Sequence, residues 1–237
     1  AILQALRQQT ASWLALDVSD ERQWGMALVR EGAVQGCGQM GSLQAVDAAW
    51  CRQNVAGMAS DGQSRWYSEP LAYPGRVFIF GGGHVSQALV PVLASIGFSC
   101  TVVDDRAEFA DPALFPQAEA VYEADYEALL ADLGVTPDDY VCIMTRGHVG
   151  DYDVQRQMLA IKPYYRGVIG SRRKLAFVKE KLLADGFTAA EIDACHAPIG
   201  LAISAVTPAE IAISIAAELI AIRAKREGRE KSRYHKP

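Results

Sequence analysis

From about residue 75 onward, short continuous apolar runs alternate with longer stretches in which apolar residues recur every three or four positions. The runs are Val77–Phe80, Cys100–Val103, Ala120–Tyr122, Tyr140–Met144 and Gly167–Ile169. A strand covered on both faces has no polar side to present, so these runs predict buried strands. The stretches between them, near residues 85–96, 125–133, 151–161 and 172–185, predict helices. Strands alternating with helices imply βαβ units, a parallel sheet and right-handed crossovers. A last helix is expected from Thr207, with Thr207 as cap, Pro208 in the first turn and Glu210 closing a capping box. Its body, Ile211–Ile222, is apolar on nearly every side, which predicts burial all round or packing against another copy of the chain.

Before residue 75 the rhythm differs. Trp24–Val29 and Ala33–Cys37 predict two short strands joined by a turn at Arg30–Gly32, and Leu43–Val55 has a helical pattern. Pro70, Pro74 and Gly75 punctuate Ser68–Gly75, the one expected joint. The expected organisation is a small α+β domain over residues 1–72 and an α/β domain over residues 73–237.

Composition narrows the function classes. Half of the 237 residues are apolar and 22% are charged, as in ordinary globular proteins. A net charge of −5 argues against a general nucleic-acid binder, which needs a basic surface. No apolar run is long enough for a membrane span, and no secretory pattern opens the chain. Five scattered cysteines without a paired spacing predict reduced thiols. A cytoplasmic protein is expected. The Lys/Arg-rich tail, Arg223–Lys236, predicts a solvated helix end.

The candidate chemistry sits where strands end. Val77–Phe80 runs directly into Gly81, Gly82, Gly83 and His84 and then an apolar helix. Gly81 and Gly83 fill the first two places of the dinucleotide-binding GxGxxG pattern, and Ser86 replaces the third glycine. Such a turn lets a pyrophosphate approach the backbone at a helix N-terminus. Asp104 lies 21 residues beyond Gly83, where a carboxylate meets a ribose 2′-hydroxyl. Asp105 and Arg106 follow, and the guanidinium would instead favour a 2′-phosphate. These features predict a Rossmann-type parallel sheet; the competing possibility at the loop is a glycine turn that holds no nucleotide.

Ser171, Arg172, Arg173 and Lys174 form a second anion candidate at a strand end and helix start. Basic residues oppose the dipole there and need compensation, so a plain capped helix start is the alternative. His84 and His148 are expected at carboxyl ends of parallel strands, where ligands bind in such sheets. His148 and Asp151 are a candidate acid/base or metal pair, although no metal-ligand signature accompanies them. Cys195 and His196 are sequence neighbours, which is not evidence of a nucleophile–base pair.

Six ordered segments resemble the C-terminal domain of the XdhC/CoxI family of molybdenum-hydroxylase maturation proteins. They are Ile79–Val85, Val102–Arg106, Met144–Asp151, Ile169–Lys174, His196–Leu201 and Thr207–Glu218. The resemblance implies an accessory protein, rather than an enzyme, that binds the molybdenum cofactor. It further implies that the protein promotes sulfuration of the cofactor and passes it to a xanthine-dehydrogenase-like hydroxylase, with a cysteine desulfurase as a further partner. The expected contacts are Gly81–His84, Asp104–Arg106, Thr145, Arg146, His148, Ser171–Lys174 and His196. The first domain departs from the family: Ser42 and Gln44 stand where the resemblance leads one to expect a thiol and a carboxylate, with Cys37 nearby. The rival functions are a nucleotide-sensing regulator and an NAD(P)-dependent oxidoreductase, although the latter lacks a visible Tyr-x-x-x-Lys pair. A homodimer through Ile211–Ile222 is expected.

Overall fold

The computed structural model describes residues 12–20, 22–30, 33–38, 56–60, 64–72, 75–127, 133–147 and 149–227. Expectations on Leu43–Val55, Ser42, Gln44 and His148, and most of the tail, lie outside these residues. So does the middle of the helix expected at 125–133. The chain divides into two compact units, with the break between Pro74 and Gly75 and the second unit running to Ala221.

The first unit contains a five-stranded antiparallel sheet of β1 (Ser12–Asp20), β2 (Gln23–Arg30), β3 (Ala33–Gly38), β4 (Gly57–Ser60) and β5 (Arg65–Ala72). Its order is β3-β2-β1-β5-β4. The β2–β3 hairpin matches the expected pair of strands, with Arg30 opposite Ala33. The expected joint at Ser68–Gly75 needs correction, because β5 runs through its first half. Pro70 is tolerated there because β4 pairs only as far as Ser68, so beyond that point β5 needs no donor on that side.

The second unit is a parallel sheet of β6 (Val77–Phe80), β7 (Cys100–Asp104), β8 (Ala120–Glu123), β9 (Tyr140–Ile143) and β10 (Tyr165–Val168). The order is β10-β9-β6-β7-β8, and every pairing is parallel. This is an α/β Rossmann-type sheet. All residues of β6, β7 and β9 are buried, which is why these runs carry no polar alternation. Helix α1 (His84–Ser95) follows β6 and α2 (Val149–Ile161) follows β9. After β10 come α3 (Arg172–Ala184), α4 (Ala189–Asp193) and α5 (Pro208–Arg226). The β7–β8 connection uses a 3-10 turn at Pro112–Leu114, capped by the Asp111 side chain.

The strand order reverses between β6 and β9, and in open α/β sheets the crevice at such a point, beyond the carboxyl ends, receives ligands. At the opposite end of the same two strands, Asp139 accepts hydrogen bonds from the Arg76 backbone (2.8 Å) and guanidinium (3.0 Å) and from Thr136. Among the described residues, no helix is long and apolar enough to cross a membrane.

Candidate functional site

The chain leaves β6 at Gly81, whose φ is +109°. A Cβ there would lie 2.3 Å from the Met144 carbonyl oxygen, so both conformation and space demand glycine. A Cβ on Gly82 would lie 2.2 Å from the Phe109 carbonyl oxygen. The loop is thus pinned between the segments that leave β9 and β7. Ser86, in the third glycine's place, donates its hydroxyl proton to the Gly81 carbonyl and closes the turn from inside.

Gly83 behaves differently. It caps α1 in an extended conformation, and a Cβ there would meet none of the described residues within 4 Å. Among the described residues no side chain caps α1, and its first turn holds no acidic residue. The positive end of a 12-residue helix therefore opens onto free space beside the backbone, with the exposed His84 as its first residue.

Asp104 is fully buried and holds this loop. It accepts from the Gly82 N–H (2.7 Å), the Arg106 N–H (3.0 Å) and the Arg106 guanidinium (2.9 and 3.0 Å). Burial alone would raise its pKa, but the Arg106 guanidinium and the Gly82 N–H outweigh it and hold the carboxyl below the usual range. Arg106 also stacks over Phe109, 3.8 Å from the ring centroid. The two groups expected to choose between ribose and 2′-phosphate are therefore engaged with each other. Asp105, the exposed carboxylate beside them, lines a pocket of about 510 Å³ with Glu123 and Asp125.

On the other side of the loop the charge reverses. Ser171 caps α3 by accepting from the Lys174 N–H, and Arg172 and Arg173 are exposed. The compensation that a basic helix start requires is Asp151: the Lys174 ammonium lies 2.5 Å from its carboxylate and also donates to the Thr145 carbonyl oxygen (3.4 Å). The Thr145 hydroxyl donates to the same carboxylate (2.5 Å). Burial raises the pKa of Asp151 by more than Lys174 and Thr145 lower it. Asp151 is thus a buried clamp, and the expected pairing with His148 has no described geometry. Ser171, Arg173, Lys174 and Phe177 line a second pocket, of about 440 Å³.

The carboxyl ends of β6, β7, β9 and β10 therefore form one rim, acidic beyond β7 and cationic beyond β10, with the open helix start between them. Residues 77–219 match the family described as the XdhC Rossmann domain. The chain belongs to the XdhC family. It is 32% identical over 149 residues to the Escherichia coli (strain K12) protein YqeB, itself described as uncharacterized. It is 29% identical over 148 residues to a Bacillus subtilis (strain 168) protein named as a probable xanthine dehydrogenase component. Each match covers 62% of this chain, but only 27% and 43% of those proteins, respectively. A solved structure described as a xanthine dehydrogenase from Bacillus halodurans superposes over the whole chain and 65% of its own, with a TM-score of 0.73 and 22% identity. At that identity the likeness supports the fold.

Within this XdhC domain, His196 lies along the outer edge of the sheet. It bridges to Gly167, the next-to-last residue of the outer strand β10. Its Nδ1 lies 2.8 Å from Glu218 of α5, and its ring lies 4.7 Å from that of Tyr165. Glu218 also accepts from the Tyr165 hydroxyl (2.5 Å) and the Gly200 N–H (2.8 Å). Burial, with Glu218 adding to it, pushes the Tyr165 hydroxyl far up. The structure therefore joins Gly81–His84, Asp104–Arg106, Thr145, Arg146 and Ser171–Lys174 along one rim, while His196 ties α5 to the sheet edge. Sequence reasoning missed the clamp role of Asp151. Its partner Lys174 lies in another helix, and nothing in the residues around Asp151 signals a contact that distant in the chain.

Proposed function

We propose that this chain is an accessory protein of a xanthine-dehydrogenase-like molybdenum hydroxylase, binding the molybdenum cofactor and assisting its sulfuration and insertion. The carrying observation is the uncapped, unobstructed start of α1 in an XdhC domain, next to the cationic Ser171–Lys174 edge. A phosphate there receives backbone N–H groups and the helix dipole, with Gly83 leaving room for its approach. Arg172 and Arg173 supply positive charge from the β10 side, and the acidic side beyond β7 steers an anion away from itself. When bound, the cofactor supplies molybdenum redox chemistry, which belongs to the client enzyme. The residues here bind, orient and shield it.

The engagement of Asp104 with Arg106 disfavours nucleotide selection at that pair and so favours a pterin phosphate over NAD(P). The client hydroxylase, a cysteine desulfurase and a second copy of the chain are the proposed partners. Oxidised extracts of the purified protein should fluoresce as a pterin, and Gly83→Val should lose that signal while keeping the wild-type circular dichroism. Steady NAD(P)H oxidation by pterin-free protein would replace this function with a dehydrogenase. Undiminished pterin in Gly83→Val would move the phosphate away from the glycine loop.

A further inference from the structure

The pocket beside the start of α3, about 440 Å³ in volume, is lined among the described residues by Ser171, Arg173, Lys174 and Phe177. Two of these are engaged within the fold: Ser171 accepts from the Lys174 N–H, and the Lys174 ammonium is held by Asp151. Arg173 is exposed, with no ion pair among the described residues. Phe177 is 42% exposed. A lone exposed apolar side chain is ordinary on a protein surface. This one is the apolar wall of a pocket otherwise lined by a hydroxyl and two cations, a mixture that suits an anion carrying a flat ring.

The ring is also braced. The Lys181 ammonium lies 5.5 Å from the centroid of Phe177 and 4.7 Å from that of Tyr152 in α2. The Tyr152 hydroxyl in turn donates to Asp185 at the end of α3 (2.5 Å). A ring held in this way loses little freedom when a second ring stacks on it. The pocket adjoins the glycine loop through the end of β9. Lys174 donates to the Thr145 carbonyl oxygen, and the preceding residue, Met144, has its carbonyl against Gly81. The α3 pocket and the start of α1 therefore flank one strand end.

We infer that Phe177 is the stacking platform for the heteroaromatic ring of a bound phosphate ester, with the phosphate at the start of α1 and the ring in the α3 pocket. This rests on the phosphate site proposed above and adds the residue that selects for the ring. Arg173 supplies charge and a planar guanidinium beside it. Pyrophosphate satisfies the helix start and the cations but gains nothing from Phe177, so the ring is what discriminates among anions.

Neopterin monophosphate, a pterin with a phosphorylated side chain, and inorganic pyrophosphate serve as probes in calorimetric titrations of the full chain. Phe177→Leu, at an exposed helix position, should bind the pterin phosphate at least about fivefold more weakly and pyrophosphate as the wild type does. Phe177→Trp should keep the pterin affinity and, at saturation, quench the pterin emission beyond the wild type, because an indole in face contact quenches by electron transfer. A merely structural role would not move that signal. Binding lost in Gly83→Val but unchanged in Phe177→Leu would keep the phosphate site and overturn the stacking. Equal losses for both probes in Phe177→Leu, or no added quenching in Phe177→Trp, would overturn it too. No binding of the pterin phosphate by the wild type would remove the phosphate site itself, and the platform with it.

Discussion

At the residue scale, three adjacent glycines have three different reasons to be glycine. Gly81 is fixed by φ and by the Met144 carbonyl, Gly82 by the Phe109 carbonyl, and Gly83 by nothing among the described residues. Gly81→Ala should therefore destabilise the domain by about 3 kcal/mol or more, from left-handed strain and a backbone clash. Gly83→Ala should leave the melting temperature nearly unchanged and weaken pterin retention. Equal thermal losses in the two variants would refute this division of roles. Asp139 offers a pH test far from the rim. Burial would raise its pKa, but Arg76 and the Thr136 N–H hold it below the usual range. A lowered folded pKa gives stability that is present above the unfolded value, near ~3.9, and lost as pH falls through the folded one. Asp139→Asn should thus cost about 2–4 kcal/mol at neutral pH through lost charge-assisted hydrogen bonds, and progressively less in acid. Denaturant melts at several pH values measure both, and ligand retention should be unaffected.

At the scale of elements, α5 shows why its sequence pattern was ambiguous. Ala212, Ile215, Ala216 and Leu219 are buried, as are Ser214 and Glu218, whereas Ile213 and Ile220 are exposed. The buried face includes polar groups because Glu218 satisfies Tyr165, Gly200 and His196 at once, and the Ser214 hydroxyl donates to the Leu201 carbonyl oxygen (2.7 Å). Periodicity cannot anticipate a buried carboxylate whose partners come from 22 and 53 residues away. Glu218→Ala would strand the Tyr165 hydroxyl and the Gly200 N–H. The expected loss is about 2–4 kcal/mol. Hydrogen exchange should rise first in β10 and around residue 200; a uniform rise across the sheet would refute a local tie.

At the scale of the whole molecule, the second unit leaves a run of large apolar side chains in the open. Leu201, Ile203, Val206, Ile213 and Ile220 are 43%, 51%, 82%, 51% and 40% exposed. Large apolar side chains left exposed commonly mark an interface, and symmetric dimers are its commonest form. The chain is therefore expected to be a homodimer at micromolar concentration by light scattering, and Ile213→Glu should render it monomeric. A wild-type monomer would assign this surface to another partner.

The sequence by itself determined the parallel sheet, because strands buried on both faces must be written as unbroken apolar runs. Four of the five runs were legible to within a residue or so at their ends. It also determined the glycine turn and the Thr207 cap, since these depend on neighbours in the chain: the Glu210 carboxylate accepts from the Thr207 N–H, and the Thr207 hydroxyl from the Glu210 N–H. The β10 boundaries were the exception: the expected Gly167–Ile169 became Tyr165–Val168, because Tyr165 pairs with Tyr140 and enters the buried network around Glu218. Only the tertiary structure decided what each charged group does. Asp104 and Arg106 neutralise each other, Asp151 restrains Lys174, and His196 is drawn to the sheet edge, because a buried charge takes whichever partner the fold brings within reach.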